Sequence, residues 1–268
     1  MVKLGLWLDD PVTDIKKKAY WRELQRHGFS VAAIMLEGVG NGFDPKYSTA
    51  DLYKIRDLAN EVDIEVALTC WPQPDKRYLD EFKAEIGAYL TASGAKALEA
   101  DLESNWIASK VSGFPNLKAA SDYLVAIFVE LRRTHGIRVE VTTFTGHAEN
   151  SSRATIADDA DCLLPQAYSV RNRSTGAIGW DELYGPGRMQ EFTLKKALEV
   201  PREQKLACGL AAYDQVWPGK TGEEALQVAY EAALKFNPTE IRLWSSKWVI
   251  GMKRNGYASS WVLGLKGK

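Results

Sequence analysis

Three carboxylates stand at alternate positions in the stretch Ala97-Leu98-Glu99-Ala100-Asp101-Leu102-Glu103, and an indole, Trp106, follows closely. Side chains in an extended chain alternate between two faces, so Glu99, Asp101 and Glu103 share one face and Leu98, Ala100 and Leu102 the other. Like charges on one face of an apolar run are costly to bury unless they are paired, protonated or in contact with water. A carboxyl beside another carboxylate holds its proton more tightly, which suits it to general-acid work. Glycoside hydrolysis uses such a pair: one acid protonates the leaving oxygen, and a second group attacks or stabilises the sugar cation. Glu103, the last acid on the face, is the candidate proton donor. Asp101, two positions deeper, is its electrostatic partner. Glu99 lies deepest and is expected to be structural, paired with a basic or hydroxyl group.

These acids need a frame that puts their end of the strand at a functional rim. Apolar, strand-like runs recur through the chain: Leu4–Leu8, Val31–Leu36, Ile64–Thr69, the acid-bearing stretch itself, Val139–Thr143, Cys162–Tyr168, Lys205–Ala211 and Glu240–Trp244. Helical patterns separate them. One is predicted from Thr13 to His27 and closed by Gly28. Ser48 with Asp51, and Thr221 with Glu224, read as capping boxes that start two more. Leu124, Ile127, Phe128 and Leu131 recur at helical spacing in another. The tail Ser260–Gly264 is expected to be an extra strand or a plug. Eight β-α units about thirty residues apart point to parallel strands with crossover helices, and most economically to one closed (β/α)8 TIM barrel over residues 1–268. The first strand is followed by no glycine-rich phosphate loop, which disfavours a doubly wound open sheet.

A barrel of this kind works at the C-terminal ends of its strands. The sequence puts Asp9 and Asp10 at the first such end, Glu37 at the second, and Trp71 and Gln73 at the third. Asp101, Glu103 and Trp106 stand at the fourth, Gln166 and Tyr168 at the sixth, Tyr213, Asp214 and Trp217 at the seventh, and Trp244 and Trp248 at the eighth. The opposite ends read as poorer in such groups. Aromatic rings stack on the apolar C–H face of a pyranose, while carboxylates and amides bond its hydroxyls. Glu37, Trp71, Trp106, Gln166, Tyr213, Trp217 and Trp244 are therefore the expected substrate-binding residues, and Asp9 lines the site. His147 could line the cleft beyond the fifth strand. The Arg171-Asn172-Arg173 stretch is solvated surface, or a basic loop that attracts carboxylate-bearing stems.

The composition narrows the partners. The chain has 268 residues, a formal net charge of −1 and 46% hydrophobic residues. That balance gives no support for nucleic acid or a membrane surface as the partner. Cys70, Cys162 and Cys208 sit in or beside apolar runs without paired spacing, and are expected as buried free thiols. No H-x-H or H-E-x-x-H spacing occurs, so no cofactor or zinc site is expected. The Leu4–Leu8 run is too short for a signal core. Synthesis in the cytoplasm as a monomer, with action on a cell wall after release, is the expectation.

The strand Leu98–Glu103 resembles the D-x-E end of the fourth strand in family 25 glycoside hydrolases, the lysozymes. It is also similar to the D-x-D-x-E motif of the family 18 chitinases, with Glu99 in place of the first Asp. Pro165-Gln166-Ala167-Tyr168 is similar to the sixth-strand segment of family 18, and Gly5-Leu6-Trp7-Leu8-Asp9 to the first strand of family 25. The resemblance implies a hydrolase of N-acetylated glycan, such as peptidoglycan or chitin, acting by substrate-assisted retention or by another stereochemical course. In it Glu103 is the acid, Asp101 orients or charge-stabilises the acetamido group, Tyr168 assists and Asp9 lines the site. A phage-type endolysin fits that description. Two other readings stay open: a catalytically silent barrel that binds glycan, and a carboxylate and divalent-metal enzyme built on Asp9, Glu37, Asp101 and Glu103.

Overall fold

The computed structural model describes residues 2–37, 42–102, 104–106, 111–144, 151–168, 185–199, 205–213, 221–251 and 253–265. Its strands are β1 (Lys3–Leu8), β2 (Val31–Met35), β3 (Glu65–Cys70), β4 (Ala97–Leu102), β5 (Arg138–Phe144), β6 (Cys162–Gln166), β7 in two pieces (Lys205–Leu206 and Cys208–Ala211) and β8 (Glu240–Trp244). Every neighbouring pair is parallel, β8 pairs with β1, and β5 pairs with β6. The sheet therefore closes into the eight-stranded (β/α)8 TIM barrel that the spacing predicts.

The helices are α1 (Val12–Ile15), α2 (Lys18–His27), α3 (Thr49–Asn60), α4 (Lys76–Ser93), α5 (Leu117–His135), α6 (Ser151–Asp159), α7 (Arg188–Glu199), α8 (Gly222–Leu234), α9 (Ser246–Val249) and α10 (Gly256–Leu265). Both expected capping boxes form, Ser48 with Asp51 and Thr221 with Glu224. Each satisfies two of the amides that a helix start leaves without partners. The predicted Thr13–His27 helix is instead two. The Trp21 indole N–H donates to the Ile15 carbonyl at 2.7 Å, and Lys17 is extended, so the first turn ends there. The tail is neither strand nor plug. It is α10, which packs on α2 and α8 and supplies the helix between β8 and β1. Trp261 donates to Gln227 Oε1 at 2.6 Å and stacks edge-on against Tyr230.

Strand alternation divides the core. Leu6, Leu8, Ala32, Ile34, Leu68, Leu98, Ala100 and Leu102 face outward into one large apolar layer beneath the helices. Trp7, Ala33, Ala67, Ala97, Cys162, Leu164 and Ala207 form a smaller apolar cluster inside the barrel. The N-terminal side of the interior carries a network of charges, which corrects the expectation that this side is poor in such groups. Arg242 is fully buried and reaches Glu99 (2.5 Å), Glu240 (2.7 Å) and Glu140 (2.9 Å). Arg138 bridges Glu140 (3.3 Å) to Glu65 (2.5 Å), and Lys3 closes the chain at 2.7 Å. Burial raises the carboxyl pKa of Glu99 and of Glu240, and Arg242 works against that shift in both.

Gly5 makes room for this cluster. A Cβ there would stand 2.1 Å from Glu240 Oε1 and 3.2 Å from Arg242 Cγ. Gly5→Ala is expected to destabilise the fold by about 1–3 kcal/mol through overpacking, read from urea unfolding, with no change in unfolding slope.

A second buried group ties the tail to α2. Arg254 can only donate, and it donates to Ser259 Oγ at 2.8 Å. Ser259 Oγ also meets His27 Nε2 at 3.0 Å. The Glu23 carbonyl can only accept, so His27 Nδ1 carries a proton and donates to it at 2.8 Å. His27 itself is fully buried. Burial lowers its pKa, opposed by the Glu23 carbonyl and carboxylate and assisted by Arg26 and Arg254. A depressed histidine pKa means that the unfolded chain takes up the proton first as pH falls. The stability this residue contributes is thus present above about pH 6.5 and lost below it. The melting midpoint of the wild type should fall faster than that of His27→Gln between pH 7 and pH 5.

Candidate active site

The inward positions at the C-terminal ends of the strands form the candidate site. Asp101 ends the inward row of β4 and is partly buried. Gln166 Nε2, from the end of β6, donates to Asp101 Oδ1 at 3.1 Å. Tyr168, two residues beyond Gln166, returns to the same face. Its ring meets Tyr213 edge-on with centroids 6.5 Å apart, and Tyr213 meets Trp248 at 6.2 Å. Burial raises the Tyr168 pKa well above the usual phenol value, and the Asp101 charge adds to the shift. Tyr168 is therefore a protonated donor at neutral pH. Trp244 ends β8 and leans edge-on against Trp7 at 5.9 Å. The Trp244–Ser245 peptide is cis. Strands β4, β6, β7 and β8 thus bring together a carboxylate, an amide, phenols and an indole.

The β1–β3 side is arranged differently. Asp9 is tied to the segment after β8: its Oδ1 accepts from Ser246 Oγ (3.3 Å) and the Lys247 amide (3.4 Å), and its Oδ2 pairs with the Lys247 ammonium. Lys247 did not stand out in the sequence. It meets Asp9 because closure of the barrel sets β8 beside β1. Glu37 is buried. Its Oε1 accepts from the Tyr78 hydroxyl and from the Trp71 amide at 2.7 Å, and burial raises its pKa. Glu37 thus positions the backbone at Trp71. Trp71 is partly exposed, and its indole N–H has no acceptor among the described residues.

Trp106 departs furthest from expectation. It is fully buried in the outer apolar layer, with its indole N–H on the Pro72 carbonyl at 2.7 Å. It offers no face to a sugar. The cause is local: after β4 the chain turns into a short 3₁₀ segment, Ser104–Trp106, instead of continuing the strand alternation. Asn105 from that turn donates to Gln73 Oε1 at 2.7 Å and so joins the ends of β3 and β4. Glu99 has the expected kind of partners: Thr69 Oγ1 donates to it at 2.8 Å, alongside Arg242 and the Trp7 indole.

Glu103, His147, Arg171, Asn172, Arg173, Asp214 and Trp217 lie outside the described residues. Among the described residues, no group of three or more His, Cys, Asp or Glu side chains is placed to hold a metal ion. No described helix is long and apolar enough to cross a membrane. Cys70, Cys162 and Cys208 are free and buried.

No protein-family model and no curated protein matches the sequence. Solved structures do match in fold. The catalytic domain of a hyperthermophilic chitinase from Pyrococcus furiosus aligns with a TM-score of 0.64 at 12% identity, over 98% of this chain and 94% of that one. The Bacillus cereus spore cortex-lytic enzyme SleL aligns with a TM-score of 0.65 at 12% identity, over 99% and 74%. A xylanase-α-amylase inhibitor protein, XAIP-I, aligns with a TM-score of 0.59 at 15% identity, over 98% of each chain. At these identities the likeness is one of fold. That fold serves enzymes and an inhibitor alike, so chemistry must be argued from the side chains.

Proposed function

We propose that the chain is a glycoside hydrolase that cleaves an N-acetylated glycan, with peptidoglycan as the leading substrate. The observation that carries this reading is the meeting of Asp101, Gln166, Tyr168, Tyr213 and Trp244 at one barrel mouth. Glu103 follows directly on β4, two positions beyond Asp101, and is assigned as the proton donor to the leaving oxygen. Asp101 stabilises the positive charge that develops on the sugar and its acetamido group. Gln166 holds that carboxylate in place, and the protonated Tyr168 hydroxyl donates a hydrogen bond to the acetamido group. Trp244, Tyr213 and Trp71 supply apolar faces for sugar rings. Asp9, held by Lys247, shapes the β1 side of the mouth.

The solved complex of the inhibitor XAIP-I, which shares this fold, with trehalose favours one second reading, glycan binding without hydrolysis. A turbidity assay on cells stripped of their outer membrane, run with wild type and Glu103→Gln, separates the two. Lysis by wild type and its loss in the variant, with glycan binding retained, supports the hydrolase. Firm binding by wild type without lysis of cells or cleavage of chitin oligomers establishes the second reading. Lysis that chelator abolishes would overturn both and require a metal.

A further inference from the structure

Beneath the mouth, one carboxylate bonds to an aromatic residue that no substrate can reach. Glu99 is fully buried. Both its oxygens accept from the Trp7 indole N–H, at 3.0 and 2.9 Å. Its Oε2 also accepts from Thr69 Oγ1 at 2.8 Å and from Arg242 Nη1 at 2.5 Å. Arg242 in turn lies over the Trp7 ring, with Cζ 5.4 Å from the centroid. The far edge of that ring fills the space beside Gly209, where a Cβ would stand 2.8 Å from Trp7 Cη2. The indole is thus fixed at its N–H end by an ion-paired carboxylate and at its benzo end by a glycine. Trp244, partly exposed two residues beyond Arg242 on β8, rests edge-on against it at 5.9 Å.

We propose that Glu99 is a positioning residue: held by Arg242, it sets Trp7, and through Trp7 the ring of Trp244 that receives the sugar. The effect falls on glycan affinity and not on the chemical step, because none of these buried groups reaches the reacting atoms. The inference rests on the glycan-binding reading of the mouth. It gives a definite task to a carboxylate whose depth in the strand marks it as structural. It also explains why Arg242 and Trp244 stand at alternate inward positions of one strand.

Glu140 provides the control. It too is buried and pairs with Arg242, at 2.9 Å, but no aromatic contact is made by it among the described residues. Glu99→Gln and Glu140→Gln each remove one carboxylate from the same guanidinium. A purely structural role predicts the same behaviour from both. The proposal predicts a difference. Near-ultraviolet circular dichroism of the free protein reads the Trp7–Trp244 pair, its signal assigned by Trp244→Phe. Glu99→Gln should lose that signal and raise KM about three- to tenfold, the range expected for one displaced aromatic contact, with kcat unchanged. Glu140→Gln should keep both the signal and the KM. Loss of the signal in both variants or in neither, or its loss in Glu99→Gln without a KM change, overturns the proposal. If Glu99→Gln does not fold, Trp7→Phe removes the same N–H donor while leaving the Glu99–Arg242 pair, and its KM decides by the same criterion. If wild type neither cleaves nor binds any glycan, the proposed function fails, and the dichroism comparison still decides whether Glu99 positions the indole pair.

Discussion

Replacing Glu103 with Gln is expected to lower kcat on peptidoglycan or an N-acetylated oligosaccharide by roughly 10²–10⁴-fold, the usual worth of a positioned general acid. The substitution keeps size and removes the proton. An alkoxide leaving group is too basic to depart unprotonated, so natural glycan should show the full loss. An aryl glycoside should not, because a phenolate departs without help. The ratio of kcat/KM for the two substrate types therefore isolates the acid role: it should rise sharply in favour of the aryl glycoside in Glu103→Gln. Asp101→Asn gives the contrasting signature. A carboxylate that stabilises the sugar cation is needed whatever leaves, so both substrates should suffer alike. Equal losses in Glu103→Gln, or none, would remove Glu103 from the acid role. Stability should stay close to that of wild type in this variant, so that thermal melting serves as the check on folding.

The frame for that chemistry was legible because the barrel writes its repeat into the chain. Each of the eight apolar runs forms strand, its ends within two residues of the expected ones and the seventh run in two pieces. The depth argument for Glu99 also transfers: the innermost of three alternating acids is the one farthest from water, and its partners are Arg242, Thr69 and Trp7. What the sequence hides is contact across the closed sheet. Asp9 and Lys247 are far apart in the chain and meet because β8 neighbours β1. Arg242 reads as an ordinary charge in a strand, and only closure brings Glu99 and Glu140 from the opposite wall to it. Trp106 fails for a local reason. The alternation that orders Glu99 and Asp101 ends at the 3₁₀ turn, so adjacency to an acid in sequence does not carry over to the mouth. The tail was misjudged because Gly256, Ser259, Ser260 and Gly264 weaken a helical signal that packing against Tyr230 and Gln227 restores.

Arg242→Met should be the most destabilising single substitution in the barrel interior. The guanidinium is fully buried and is the common partner of Glu99, Glu140 and Glu240, all of them buried. Removing one member of a buried ion pair leaves an uncompensated charge and costs about 3–5 kcal/mol. In a chain of this size that corresponds to a melting midpoint lower by on the order of 10 °C. The pH dependence separates this cause from simple loss of packing. Burial already raises the folded-state pKa of Glu99 and Glu240, and Arg242 is the group that counters it. Without Arg242 those values rise further. A carboxyl with a raised folded-state pKa favours folding when protonated, and that contribution is lost as pH rises through the folded value. The deficit of Arg242→Met should therefore be largest at pH 8 and shrink toward pH 5. A cavity left by the missing side chain would instead lower the midpoint equally at both. Lys118→Met breaks an exposed pair with Asp122 and should leave the midpoint in place at either pH, since surface pairs contribute little. Combining Arg242→Met with Glu240→Gln, which removes one of the stranded carboxylates, should recover part of the loss at pH 8, and no recovery there would rule out stranded charge as the cause.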